Sequence, residues 1–249
     1  MIRFNESEPI QLGSRYGRVG SVQSFDLWQL RESVDQAVEG VAQIASLSYG
    51  NEEAKNPRKL FDRIVSLGHL SCLEFIPFKE YHHRHLPEAS ARNQLVIGEA
   101  GLDEYAHWFD ESYAEEGRQD KPATGFLVEA PIMVVRQWFR HRAFSELEMS
   151  RRYVNGTKIP FSFYGTDLDS DISRVLAMAH EYAVQAYDQL IELNCPPEVA
   201  RSVIGTGAMT KFFVAGYNHH WRGFSRLRSD SHAQAEIRVF SDYIKGVVA

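Results

Sequence analysis

The sequence predicts a fold of helices and strands held in a single domain. Three observations carry that prediction. Apolar residues recur at helical spacing from Leu27 to Ala45 and again from Ile172 to Leu193. Short apolar runs, Phe126–Ala130 and Met209–Ala215, read as strands. No repeat, low-complexity segment or linker divides the 249 residues, a length that suits one sizeable core or one core with an appendage.

In chain order, residues 1–23 are polar and carry Gly13, Gly17 and Gly20, which reads as loop after at most a short strand. From Asp26 onward, Leu27, Leu30, Val34, Val38, Val41 and Ala45 mark a helix that Gly50 stops. Pro57 opens a second helix with Leu60, Phe61, Ile64 and Leu67 on one face, ended by Gly68 as a left-handed cap. Phe75–Tyr81 reads as the start of a strand. His82, His83 and His85 hint at metal. Adjacent strand residues point to opposite faces, however, and no Cys or acidic partner stands at a zinc-like spacing, so no metal is expected. Pro87–Gly98 and Leu102–Glu116 read as two helices, the second with Tyr105, Trp108, Phe109 and Tyr113 along one stripe.

Phe126–Ala130 is a strand, and Pro131 suits the first turn of a helix. That helix should end near Arg140, His141 and Arg142, which would otherwise fan out around it. Arg142–Met149 reads as loop or short strand, and Val154–Thr166 as loop. Ser170 or Asp171 caps a long helix with a broad apolar face. Pro196-Pro197 starts another, where Arg201 among Val199, Ala200, Val203 and Ile204 predicts a buried partner. A strand at Met209–Ala215 and a stretch rich in His and Arg follow. Asp230 or Ser231 is the expected cap of a last helix running to about Lys245.

The net charge of −6 argues against non-specific nucleic-acid binding across the whole surface, but not against a local basic pocket. Cys72 and Cys195 belong to no CxxC and read as free thiols in a reducing compartment, with Cys72 an inert buried thiol. No apolar run reaches membrane-spanning length and MIRFNESEPI lacks a signal-peptide core, so a cytoplasmic protein without membrane partners is expected.

GxSxG, Walker and HExxH motifs are absent. Pro131–Tyr153 instead gathers Arg136, Arg140, Arg142, Arg151 and Arg152, with Ile132, Val134, Val135, Trp138 and Phe139 tying the charge to a core. Guanidinium groups this close repel unless anions or carboxylates neutralise them, and their planar fork grips phosphate through paired hydrogen bonds. Such a set suits a phosphorylated substrate with a planar ring, where one more arginine stabilises developing negative charge. Ser150 has no base beside it and reads as a hydrogen-bonding residue. Redox chemistry would need a cofactor, because these side chains carry no hydride.

Arg140-His141-Arg142, seven residues and then Ser150 resemble the RHR-x7-S signature of the flavin-dependent thymidylate synthases. RQWFRHR, the Ser150-x-Arg152-Tyr153 ending, Gly68-His69 upstream and LRSDSHAQAEI at 227–237 are similar to the family as well. The resemblance covers roughly Val34–Phe78 and Gly125–Ile244. It implies an α+β fold with a large central mixed sheet and packed helices, one domain over residues 1–249, and a mainly helical insertion at about 79–124. It also implies transfer of a one-carbon unit from methylenetetrahydrofolate to C5 of dUMP, with NADPH reducing bound FAD, to give dTMP. The family works as homotetramers whose sites draw on several subunits.

Carried over by position, FAD would face Ser71, Arg140, His141, Arg142, Glu148 and His219. The nucleotide would face Gln137, Arg140, Glu148, Ser150, Arg151, Arg152, Arg201 and Arg228. Arg228 against the uracil, His69 near flavin and pterin, and Ser150 are the expected catalytic residues. The departures lie on the flavin side. Ser46 and Leu147 stand where Arg and Asn are common, Cys72 replaces a proline, and Tyr217, His219 and Gly223 replace Asn, Arg and Asn. Two other outcomes stay open: a relative that makes 5-hydroxymethyl-dUMP or acts on another pyrimidine nucleotide, and a non-catalytic nucleotide- or nucleic-acid-binding protein.

Overall fold

The computed structural model describes residues 1–12, 17–76, 122–154, 156, 159–166 and 170–249. The histidine cluster at 82–85, the two helices predicted within 87–116 and nearly all of the expected insertion lie outside the described residues. Elements below are numbered over the described chain.

Strands β1 (Glu8–Gln11), β2 (Arg18–Asp26), β3 (Ala123–Pro131), β4 (Ser145–Glu148) and β5 (Met209–Tyr217) form one sheet in the order β1-β2-β3-β5-β4. Helices pack on it, so the α+β class is as predicted. Every ladder among the described strands is antiparallel, where a mixed sheet was expected. A parallel pair needs a crossover of about a dozen residues or more, but the β4–β5 connection, which carries the helices Asp171–Glu192 and Pro197–Ala200, returns the chain antiparallel.

The pleat of β5 divides the core in two. Phe213 and Ala215 face α1 (Val34–Leu47) and α2 (Pro57–Ser66), with Phe25, Val38, Val41, Phe61, Ile64 and Phe75. Phe212 and Val214 face the other way, against α3 (Ile132–Trp138), α6 (Asn218–Arg228) and α7 (Ala235–Val247). At the centre of this second layer Trp138 is fully buried, with the rings of Phe212, Trp221, Phe224 and Phe240 all within 6.3 Å. That aromatic packing fixes the C-terminal end of α3, the launching point of Arg140-His141-Arg142.

Several expectations change. β2 is a nine-residue strand where loop was predicted. Its glycine hid the pattern: a Cβ on Gly20 would stand 1.9 Å from the Glu129 carbonyl oxygen, so only glycine lets β2 lie this close to β3. The first predicted helix is broken. Asp26 caps a 3-10 turn over Leu27–Arg31, and the Ser33 hydroxyl then accepts from the Gln36 N–H to start α1. Gly68 ends α2 with φ +67° as predicted, and Phe75 closes a 3-10 turn, Leu70–Phe75; residues 77–81 of the strand expected from Phe75 lie outside the described residues. Winding there buries Cys72, Leu73, Phe75 and Ile76 together.

The long helix α4 (Asp171–Glu192) forms with Ser170 as cap. Its apolar face is largely uncovered: Ile172, Val175, Met178, Tyr182 and Leu193 are exposed, and only Ser173 and Tyr187 are buried. The short α5 (Pro197–Ala200) runs into a 3-10 turn, Arg201–Val203. Arg201 is not itself buried, and the partly buried charge it acts on is the Glu148 carboxylate. Arg201 is exposed, with Nε donating to the Glu198 carbonyl at 3.3 Å, because this segment lies at the surface beside α4, where Val199 and Val203 are exposed too. The last helix begins at Ala235, later than predicted. Asp230 accepts from the backbone N–H and Nδ1 of His232 and so shapes the preceding turn instead of capping α7.

Gly125→Ala tests the close packing of β2 on β3. Its Cβ would meet the buried Phe25 ring at 2.1 Å. The variant should lose about 1–3 kcal/mol in urea unfolding. Gly246→Ala, in α7 with open space around it, should gain up to about 1 kcal/mol in the same measurement.

Candidate functional site

β4 is a wall with a cleft on each side. Its even positions face α3 and its odd positions face α1, as strand alternation dictates. Glu148 therefore lines one cleft and Leu147 the other. The Ser150 N–H donates to the Ser48 carbonyl at 3.2 Å and ties the two sides together just past the strand.

The first cleft has a volume of about 560 Å³. It brings together Glu148, Ser150, Arg151 and Arg201, four of the residues expected to face a nucleotide, with Arg136 from α3 and Thr210 from β5. Burial raises the Glu148 pKa, while the Thr210 hydroxyl, Arg201 and Arg136 pull it back. The Thr210 hydroxyl is itself buried and finds no partner in hydrogen-bond geometry, so it faces the carboxylate without a closed bond. Arg151 is partly committed to its own chain: Nη1 donates to the Ile159 carbonyl at 2.7 Å, and the guanidinium lies over the Phe161 ring at 4.3 Å. Burial accordingly lowers its pKa.

The second cleft, about 420 Å³, holds His69 and Ser71 with Ser48, Cys72 and Glu74, and Tyr49 and Tyr153 at its rim. Those two tyrosine rings lie 5.1 Å apart. Cys72 is no nucleophile here: burial pushes its thiol up to about 12, and its Sγ faces the His69 carbonyl.

A third group sits where α3 meets α6. Arg228, the last residue of α6, donates from Nε to His141 Nε2 at 2.8 Å and from Nη2 to the Gln137 carbonyl at 2.8 Å. The Gln137 amide reaches Gln234 at 2.6 Å. Arg140 is exposed nearby and, after burial, is the second influence that lowers the Arg228 pKa. Arg142 is exposed beside Glu146. Arg152 is exposed, its guanidinium 5.4 Å from the Tyr153 ring centre. His219, in the first turn of α6, stacks on Tyr217 at 5.9 Å and lines neither cleft.

The predicted residues thus fall into three groups that one copy of the described chain does not bring into one cavity. Sequence reasoning left Thr210, Ser48 and Tyr49 out of the site. Thr210 could have been found from its place as a lone hydroxyl in an apolar strand. The other two carry no signal beyond following a helix.

In this antiparallel α+β fold an arginine-lined cleft and a second polar, tyrosine-rimmed cleft thus lie on the two sides of β4. The chain belongs to the thymidylate synthase complementing protein family, whose profile matches residues 119–248, more than half of the sequence. It is 36% identical over 126 residues to a flavin-dependent thymidylate synthase of Thermotoga neapolitana, a match covering 47% of this chain and 56% of that one. It is 33% identical over 128 residues to one of Pseudothermotoga lettingae, covering 47% and 57%. The chain therefore spans only a little over half the length of these relatives. Among solved structures it is similar to a UMP/dUMP methylase from Streptomyces cacaoi bound with 5-Br UMP, at 24% identity and a TM-score of 0.42, over 51% of this chain and 67% of that one.

Glu146 gives a direct test of the electrostatics beside the RHR segment. Burial pushes its carboxyl from 4.5 up to about 7, with Arg142 pulling it down, and Oε1 is buried without a partner. Between those two values the folded chain keeps a proton that the unfolded chain releases. Stability therefore falls as pH rises through that window. Glu146→Gln should flatten this fall in urea titrations at pH 5 and 8, and carboxyl NMR should find Glu146 titrating near neutrality.

Proposed function

We propose that this chain is a flavin-dependent thymidylate synthase. It would transfer the one-carbon unit of methylenetetrahydrofolate to C5 of dUMP, using FAD and NADPH, to give dTMP. The observation that carries the reading is the first cleft, where Arg136, Arg151 and Arg201 outnumber two carboxylates, the partly buried Glu148 and the exposed Glu198, beside Ser150. Family membership and the names of the relatives support it.

The arginine forks suit a phosphate monoester, with the Ser150 hydroxyl as a further donor. Glu148 balances part of their charge while no anion is present. Arg228 would present its guanidinium to a uracil carbonyl and stabilise negative charge on the ring. FAD fits the remaining groups by their chemistry. His69 and Ser71 at the tyrosine-rimmed cleft offer polar contacts to a planar ring, and exposed Arg140 and Arg142 offer charge for a diphosphate. When bound, FAD supplies the redox capacity that none of these side chains has.

Among the described residues β4 lies between the two clefts, and we infer that a complete site draws on more than one copy of the chain. The exposed stripe of α4 is the surface we assign to that self-association, as a homotetramer. Val175→Glu combined with Tyr182→Glu should convert the assembly to smaller species in sedimentation while leaving helix content unchanged. A wild-type chain that sediments as a monomer at every concentration would remove this part of the reading.

The activity test is direct. Purified protein should take up FAD and turn yellow, and with dUMP, methylenetetrahydrofolate and NADPH it should give a product with the mass of dTMP. A product heavier by one oxygen would identify a hydroxymethylase instead. Nucleotide binding without flavin uptake would identify a binding protein. Arg201→Ala should weaken dUMP binding. Arg228→Ala should lower turnover by about 100- to 1000-fold, and Arg228→Lys should rescue little because an ammonium lacks the planar fork.

A further inference from the structure

The contact between Arg228 and His141 sets a condition on the nucleotide site. His141 stands just past the end of α3, its backbone N–H donating to the Trp138 carbonyl at 2.9 Å. Its ring packs edge-on to Phe224 at 4.9 Å and lies 6.4 Å from Phe144. In this orientation Nε2 points at Nε of Arg228, 2.8 Å away. An arginine N–H donates only. Nε2 must therefore be the acceptor, which makes His141 neutral with its proton on Nδ1. The second bond, from Nη2 to the Gln137 carbonyl, lies on the same edge of the guanidinium. The edge formed by Nη1 and the outer N–H of Nη2 is left for a ligand.

We propose that His141 is a positioning residue for Arg228: as a neutral acceptor it aims the guanidinium, and its protonation releases it. The inference rests on the proposed nucleotide-binding role of Arg228. An imidazolium would turn an N–H toward the Arg228 N–H and set two cations in contact. Arg228, on α6, is the charged group that acts on the ring. Arg140 acts in turn on Arg228, and the other packed neighbours, Phe224 and Phe144, carry no charge. Burial first, and the Arg228 charge second, keep the imidazole pKa below its ordinary value of 6.5. The clamp is therefore already complete at pH 6.5 and above, and it is lost only as pH falls through the lowered pKa.

Side-chain nitrogen NMR of histidine tests the clamp without any ligand. At pH 7.5 His141 should show an unprotonated Nε2, and in Arg228→Ala its titration should move up toward the ordinary value. A proton on Nε2, or an unchanged titration in Arg228→Ala, would overturn the proposal. Calorimetric titration with dUMP between pH 5.5 and 8 tests the consequence. His141→Leu removes the acceptor and should weaken binding about 10- to 100-fold, the usual worth of a hydrogen bond to a charged group. His141→Gln offers an acceptor that does not titrate in this range. It should bind within a few fold of wild type at pH 8 and lose the extra weakening that wild type shows in acid. The nucleotide's own phosphate titrates identically in both, so the difference isolates His141. A His141→Gln variant that keeps the wild-type acid limb, or binds as weakly as His141→Leu, would overturn the proposal. Failure of wild type to bind dUMP at any pH would sink the functional reading alone, with the clamp judged by the tautomer.

Discussion

The pairing of β4 with the edge of β5 is the constraint on which the rest of the site depends. Four residues are hydrogen-bonded in register, Ser145 to Ala215 through Glu148 to Phe212. Alternation then sends Leu147 toward one cleft and Glu148 toward the other, with no freedom to exchange them. A slip of one residue would put Leu147 among the arginines and leave the carboxylate in the tyrosine-rimmed cleft. Register is held from both ends. Ser145 Oγ donates to the Glu74 carbonyl at 2.8 Å, and the Met149 N–H donates to the Lys211 carbonyl at 2.9 Å.

The arginines are placed by apolar packing rather than by one another. Trp138 inside its ring of aromatics anchors the end of α3. Trp221, one turn into α6, donates from Nε1 to the Thr124 carbonyl at 2.9 Å and stacks on Phe144 at 3.9 Å. These contacts bring the C-terminal ends of α3 and α6 together, so that Arg228 meets Gln137 and His141. Like charges can sit this close because buried hydrophobic area holds the helices that carry them.

Much of this was legible in the chain. Pro57 and Gly68 bracket α2, Ser170 starts α4 and Pro131 precedes α3, because each of these residues acts through its own backbone or side-chain geometry. What was not legible depends on distant partners. β2 looked like loop because Gly20, which lets it approach Glu129, also weakens the strand pattern. The break at Ser33 depends on a single cap bond inside a stretch that is helical by spacing. The arginine cluster was visible as a charge pattern. That Arg151 turns back onto Ile159 and Phe161, and that His141 faces Arg228, could not be read from spacing, since both contacts join residues on different segments.

The uncovered stripe of α4 has a thermodynamic consequence of its own. A helix with Val175, Met178, Tyr182 and Leu193 in water contributes less to a lone chain than its length suggests. Cover on that stripe by a second copy, as proposed above, would stabilise the folded form by mass action. Stability would then have no single value for this chain. The unfolding midpoint would rise with protein concentration, and dilution alone would loosen the segment that leads, through α5, to Arg201.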